Sequence, residues 1–229
     1  MNSGPNPDVL GVMASGGLDS CILIGDLLRR NRIVQPFYIR TGLTWQSAEL
    51  PALEKFLAAV QSPALRPLIL LDLPLDDLYV GHWSLTGRNI PGADTPDEAV
   101  FLPGRNALLL IKAAIYCQLH QIPQLAIAPL GTSPFEDAGP QFIHEFQSAM
   151  NRGTTHRVEF LRPFGNLNKR QVMELGEGLP LELTFSCIHP IRCHENPALD
   201  LHCGRCNKCA ERQHAFELVG RPDPTQYAS

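Results

Sequence analysis

"VMASGGLDSCILIGDLLRRN", residues 12–31, decides the fold. An apolar run, Val9 to Met13, stops at two glycines, two serines and an aspartate. An amphipathic run then begins, with Leu23, Leu27 and Leu28 at helical spacing and Arg29 and Arg30 where a helix dipole favours cations. A glycine-rich turn from strand to helix aims backbone N–H groups at an anion, which is the usual geometry of a phosphate site.

The same alternation recurs. Ile33–Ile39, Leu68–Leu71 and Leu125–Ala128 read as further strands, and Leu18–Arg30, Gln46–Val60, Arg105–Leu119 and Pro140–Met150 as helices. A shorter helix is expected over Lys169–Gly176. Strand–helix alternation with short connections predicts an α/β fold whose parallel sheet is covered on both faces. Asp76–Pro103, with its glycines, prolines, His82 and Trp83, breaks the rhythm and reads as a long loop over the sheet. The expected organisation is an ATP-binding α/β domain over residues 1–180 and a metal-binding lobe over 181–229.

A composition of 44% hydrophobic and 18% charged residues is enough for an ordinary core in 229 residues. The net charge of −4 argues against a large polyanionic partner such as nucleic acid. No apolar stretch has the length of a membrane span, and the N-terminus lacks the regions of a signal peptide, so a cytoplasmic location is expected.

The loop is neither a dinucleotide fingerprint nor a Walker loop, and no lysine follows its glycines. A loop of this kind suits pyrophosphate held as a leaving group while chemistry proceeds at the α-phosphorus. Gly16 and Gly17 permit close backbone approach, and the Ser15 and Ser20 hydroxyls are candidate phosphate donors. Asp19 beside a polyphosphate calls for Mg²⁺ between the two. The plain alternative is a helix N-terminus capped by Ser15 or Asp19.

In "VFLPGRNALLLIKAAIYC", residues 100–117, Arg105 and Asn106 open a helix that is apolar on nearly every turn. Arg105 is expected to hold an anionic group, with an ion pair to Glu98 as the structural alternative. In "SCIHPIRCHENPALDLHCGRCNKCAER", residues 186–212, Cys203, Cys206 and Cys209 converge from one turn, with Gly204 permitting the bend. Cys187 is the expected fourth ligand of a structural Zn²⁺, and Cys193, His194 and His202 are rivals for that place. An iron–sulfur cluster is the competing metal. Cys21 and Cys117 read as inert core thiols.

Ser15-Gly16-Gly17-Leu18-Asp19-Ser20 matches the SGGxDS signature of the PP-loop ATP pyrophosphatases, and the loop from Ala14 to Ser20 is accordingly the expected ATP site. The order SGGLDS, LPGRN, "LPLELTFSC", CGRCNKCAER and "AFELVGRPDPTQYA" resembles the 7-cyano-7-deazaguanine synthase family over nearly the whole chain. The resemblance implies an adenine-nucleotide α-hydrolase-like sheet with a zinc-bound C-terminal lobe, often dimeric. It implies a ligase that uses ATP and ammonia to turn the carboxylate of 7-carboxy-7-deazaguanine into a nitrile through adenylated intermediates. Asp19, Arg105 and Lys169 are the catalytic candidates, and Arg105, Asn106, Phe135 and Asp137 the substrate-binding ones.

Two stretches depart from the family pattern. "APLGTSPFEDAGPQF", residues 128–142, has Phe135 and Ala138 where tyrosine and cysteine are usual. "IRTGLTWQSAEL", residues 39–50, lacks the usual Tyr-Gly-Gln turn, although Glu49 matches. The alternatives are therefore a PP-loop enzyme adenylating another carboxylate or nucleobase, or a non-catalytic ATP- and zinc-binding module.

Overall fold

In the computed structural model, which describes residues 9–193 and 200–228, a five-stranded sheet forms the centre. Its strands are β1 (Val9–Met13), β2 (Ile33–Arg40), β3 (Ile69–Asp72), β4 (Gln124–Ala126) and β5 (Glu159–Leu161). The order is β3-β2-β1-β4-β5 and every pairing is parallel. Strands buried on both faces read as continuous apolar runs, and β1 and most of β2 do so.

The helices are α1 (Leu18–Arg29), α2 (Gln46–Ala59), α3 (Trp83–Thr86), α4 (Arg105–Leu119), α5 (Pro140–Arg152), α6 (Lys169–Leu175) and α7 (Asn207–Leu218). Two apolar clusters sit on opposite faces of the sheet. One joins α1 to Leu53 and Phe56 of α2 and to Val172 and Met173 of α6. The other joins Leu110, Ala113 and Cys117 of α4 to Ile143 of α5. The doubly covered parallel sheet is thus as the sequence reading expects. β5 is an addition, since three residues after a polar stretch carry no visible periodicity.

Asp76–Pro103 is not bare loop. It folds α3 and a 3₁₀ turn at Asp97–Val100, each four residues long. Trp83 stacks on Trp45 at the start of α2, with ring centroids 5.7 Å apart. A short antiparallel pair, β6 (Ile191–Arg192) with β7 (Asp200–Leu201), leads into the cysteine turn and α7.

The chain reverses its direction of travel across the sheet between β1 and β4, leaving a crevice outside the carboxyl ends of the strands. The SGGLDS turn follows β1 at that point.

Candidate active site and metal centre

The crevice holds a cavity of about 570 Å³. One wall is the turn after β1, through Ala14, Ser15, Gly17, Leu18, Asp19 and Ser20. Gly16 lies behind that wall at φ +76°, and a Cβ there would meet the Glu49 carbonyl oxygen at 2.8 Å. A glycine is therefore required twice over, by conformation and by space. The turn is held from the other side as well, because the Phe185 N–H donates to the Gly16 carbonyl at 2.8 Å.

No side chain caps α1, whose Ncap is Gly17, which sets aside the cap reading of Ser15 and Asp19. The first-turn N–H groups therefore face the cavity without a capping oxygen. Ser15 and Ser20 bond to each other through their hydroxyls at 3.0 Å, and the Ser20 hydroxyl also accepts from the Ser15 N–H at 3.1 Å.

Asp19 projects into the cavity, and Lys169, at the first position of α6, donates to both of its carboxylate oxygens at 2.9 Å. Lys169 also reaches Glu211 of α7 at 2.9 Å, and Glu211 in turn takes Lys208 at 2.6 Å. Burial pushes Asp19 above the usual carboxylate range, with Lys169 opposing. Burial acts on Glu211 too, but Lys169 and Lys208 together outweigh it and hold that carboxyl at about 2. The carboxylate expected to meet a metal ion thus meets an ammonium group, brought from 150 residues away.

The opposite wall carries Arg105, Asn106, Phe135 and Asp137. No ion pair joins Arg105 to Glu98 among the described residues, so the structural alternative for this arginine falls away. Its Nε is buried without a hydrogen-bond partner. Asn106 donates from Nδ2 to Asp137 Oδ1 at 2.9 Å, while Asp137 Oδ2 is buried and unpartnered. The ring of Phe135 stacks on Phe101, centroids 5.8 Å apart. A guanidinium nitrogen without an acceptor and a carboxylate oxygen without a donor, both lining one cavity, describe the ligand that would satisfy them.

Beside the cavity lie four buried thiols. Cys187, Cys203, Cys206 and Cys209 have sulfurs all within 4.8 Å of one another. The shortest separations are 3.8 Å (Cys187–Cys206) and 3.9 Å (Cys203–Cys209). A tetrahedron with Zn–S bonds of about 2.3 Å has edges of about 3.8 Å, so the set fits one zinc ion with no position left open. The same closeness leaves no room for a multi-iron cluster. Gly204, at φ +73°, makes the bend between Cys203 and Cys206.

His202 is not a ligand. Its Nε2 accepts from the Ser186 N–H at 3.1 Å, and burial, aided by Arg212, drives the ring down to about 3, which keeps it neutral. Cys193 stands outside the sulfur group, and His194 lies outside the described residues. Burial pushes the thiol of Cys117 up to about 12 and raises that of Cys21 as well, so neither is nucleophilic.

Sequence reasoning did not find the roles of Glu211 and Arg212, which both lie on α7. Arg212 is 1% exposed. It donates to Thr184 Oγ1 at 2.7 Å, the Leu181 carbonyl at 2.9 Å, Ser186 Oγ at 3.3 Å and Thr225 Oγ1 at 2.5 Å, with Asp223 3.8 Å away. The "RPDPTQY" tail is thereby tied to the body, and Tyr227 closes it by donating to Asp223 at 2.5 Å. An arginine three residues after the last metal-type cysteine is the only local signal for this hub.

The parallel sheet, the SGGLDS turn at its switch point and the four-thiolate knuckle beside it define a PP-loop nucleotide-binding protein. The family model described as Queuosine biosynthesis protein QueC matches residues 10–220, and the chain belongs to that family. It is 32% identical to 7-cyano-7-deazaguanine synthase 1 of Desulfitobacterium hafniense over 94% of this chain and 93% of that one. It is 31% identical to 7-cyano-7-deazaguanine synthase of Halobacterium salinarum over 95% and 94%. A solved 4-thiouridine synthetase–RNA complex with bound ATP superposes on 93% of this chain and 50% of its own, with 14% identity and a TM-score of 0.46. Among the described residues no helix is long and apolar enough to cross a membrane.

Proposed function

We propose that this protein converts 7-carboxy-7-deazaguanine and ammonia to 7-cyano-7-deazaguanine at the expense of ATP, as a carbon–nitrogen ligase. One observation carries the reading. In a chain of this family, the anion-binding turn and the Arg105–Asn106–Asp137 group line a single cavity.

The turn from Ala14 to Ser20 receives the triphosphate at the open N–H groups of α1. The unpaired Arg105 guanidinium attracts the substrate carboxylate and holds one of its oxygens towards the α-phosphorus. Attack there expels pyrophosphate and leaves an acyl-adenylate. Ammonia displaces AMP to give the amide, and a second adenylation, on the amide oxygen, lets the nitrile form by elimination. Asp137 Oδ2 is an acceptor suited to the N–H donors of a guanine-like ring, with Asn106 fixing its orientation. Phe135 offers a face for that ring.

Asp19 is the residue to hold Mg²⁺, which neutralises phosphate charge when bound. Its oxygens fit that task once Lys169 turns from them towards phosphate, a second use for the same ammonium group. Cys187, Cys203, Cys206 and Cys209 would hold zinc in a structural role, and in doing so would fasten the segment that anchors Gly16 through Phe185. The homodimer implied by the family resemblance belongs to the same reading.

The test supplies the carboxylate, ammonium and Mg-ATP to purified protein and follows AMP and nitrile by mass spectrometry. Carboxylate-dependent AMP release together with the nitrile is expected. AMP without nitrile would move the acceptor elsewhere, and no AMP would end the enzymatic reading. Family membership disfavours a non-catalytic module or another acceptor.

A further inference from the structure

Five carboxylates line the cavity: Asp19, Glu49, Asp97, Asp137 and Glu211. Four are engaged by nitrogen donors. Asp19 and Glu211 share Lys169, Asp137 accepts from Asn106, and Asp97 accepts from Asn207 at 3.3 Å. Glu49 is different. Its only side-chain partner among the described residues is the Tyr38 hydroxyl, which donates to Oε2 at 2.7 Å, and no cation lies within ion-pair distance.

Its position is set by the backbone. Glu49 lies in the first turn of α2, and that turn packs so tightly under the phosphate loop that Glu49 Cγ would stand 3.2 Å from a Cβ at Gly16. The carboxyl group therefore enters the cavity beside the place where the phosphates sit. Burial raises it to about 7, with the Tyr38 hydroxyl of β2 and the Arg105 guanidinium of α4 both opposing. Cys21 of α1, within electrostatic reach of it, is itself raised by burial and stays a neutral thiol.

This inference rests on the ligase reading above. The nitrogen nucleophile reaches the protein as ammonium, and a cation without a lone pair cannot attack. We propose that Glu49 receives the incoming ammonium at its free oxygen and takes one proton from it, releasing ammonia beside the acyl-adenylate. The N–H bond breaks and a carboxyl O–H bond forms. Nitrogen then bonds to the acyl carbon, the acyl C–O bond to AMP breaks, and a second proton passes from nitrogen to the departing phosphate oxygen. Glu49 returns its proton to solvent before the next ammonium arrives. The negative charge attracts the cation and disappears on proton transfer, so the base does not compete with the developing anion on AMP.

The experiment compares Glu49→Gln with the unsubstituted protein in three assays: carboxylate-dependent ATP–pyrophosphate exchange, amide plus nitrile formation from ammonium, and hydroxamate formation from hydroxylamine. Hydroxylamine is neutral near physiological pH and attacks without losing a proton first. Amide formation should fall on the order of 10²-fold or more relative to exchange, while the hydroxamate follows exchange. The kcat/KM for ammonium should rise through a limb near 7 in the unsubstituted protein and lose that limb in the variant. Tyr38→Phe removes a donor to the charged form and should move the limb upward, which serves if the glutamine variant does not fold. Equal losses of amide and hydroxamate, or a loss of exchange as large as that of amide, would overturn the proposal. Absence of exchange in the unsubstituted protein would instead fell the ligase reading, and Glu49's role with it.

Discussion

Replacing Gly16 by alanine tests the seat of the phosphate loop. The residue stands at φ +76°, where an L side chain costs about 1–2 kcal/mol. The new Cβ would also lie 2.8 Å from the Glu49 carbonyl oxygen, a backbone atom that cannot swing away. Relief requires the loop and α2 to part, and overpacking of this kind adds about 1–3 kcal/mol. The expected destabilisation is therefore about 2–5 kcal/mol, read from denaturant unfolding of the unliganded protein. The functional loss should be larger in proportion, since displacing reacting groups by about 1 Å can cost 10²-fold. Carboxylate-dependent pyrophosphate exchange measures that loss. Gly17→Ala is the control for stability, because its Cβ would make only ordinary contacts, 3.5 Å to Ser15 Oγ and 3.8 Å to the Phe185 oxygen. If Gly16→Ala unfolds and exchanges like the unsubstituted protein, the close packing of α2 on the loop does not constrain the site and the reasoning fails.

Other outcomes follow from the same geometry. Arg212→Ala strips the buried Thr184 hydroxyl of its donor and leaves Asp223 without its cation, so about 3–5 kcal/mol should be lost in denaturant melts; a loss near zero would mean that water replaces the guanidinium. Cys206→Ser should abolish stoichiometric zinc in metal analysis and lower the melting temperature; a variant that keeps both would remove Cys206 from the ligand set. Glu49→Gln should gain stability over the unsubstituted protein as pH rises. The folded carboxyl, at about 7 against an ordinary 4.5, contributes stability below 4.5 that is lost as pH climbs through 7. A carboxamide has no such loss, so the gap should widen by about 1–3 kcal/mol across that window, and pH-dependent unfolding that shows a constant gap would contradict the assigned burial.

Local pattern made much of this legible. α4 spans Arg105–Leu119, as its apolar periodicity predicts, and the bounds of α1 and α2 differ from expectation by one residue at their C-terminal ends. The cysteine spacing and the SGGLDS turn carry their meaning within a few residues. What stayed hidden is non-local or brief. The Asp19–Lys169–Glu211 chain joins α1, α6 and α7, and nothing near Asp19 announces its partner. β5 and α3 are too short for a period to show. His202 reads as a ligand by type and position, but its ring nitrogen is spent on the Ser186 N–H, a fact of three-dimensional neighbourhood.

The metal knuckle and the cavity roof are stitched together. Gly92 bridges to Cys206, the Ala93 N–H donates to the Arg205 carbonyl, and Asn207 grips the Thr95 carbonyl and Asp97. Asp97 and Val100, just downstream, overhang the chamber. Oxidising the four sulfurs, or stripping an ion they hold, would thus loosen both the ceiling over the cavity and, through Phe185, the seat of Gly16 in the nucleotide turn.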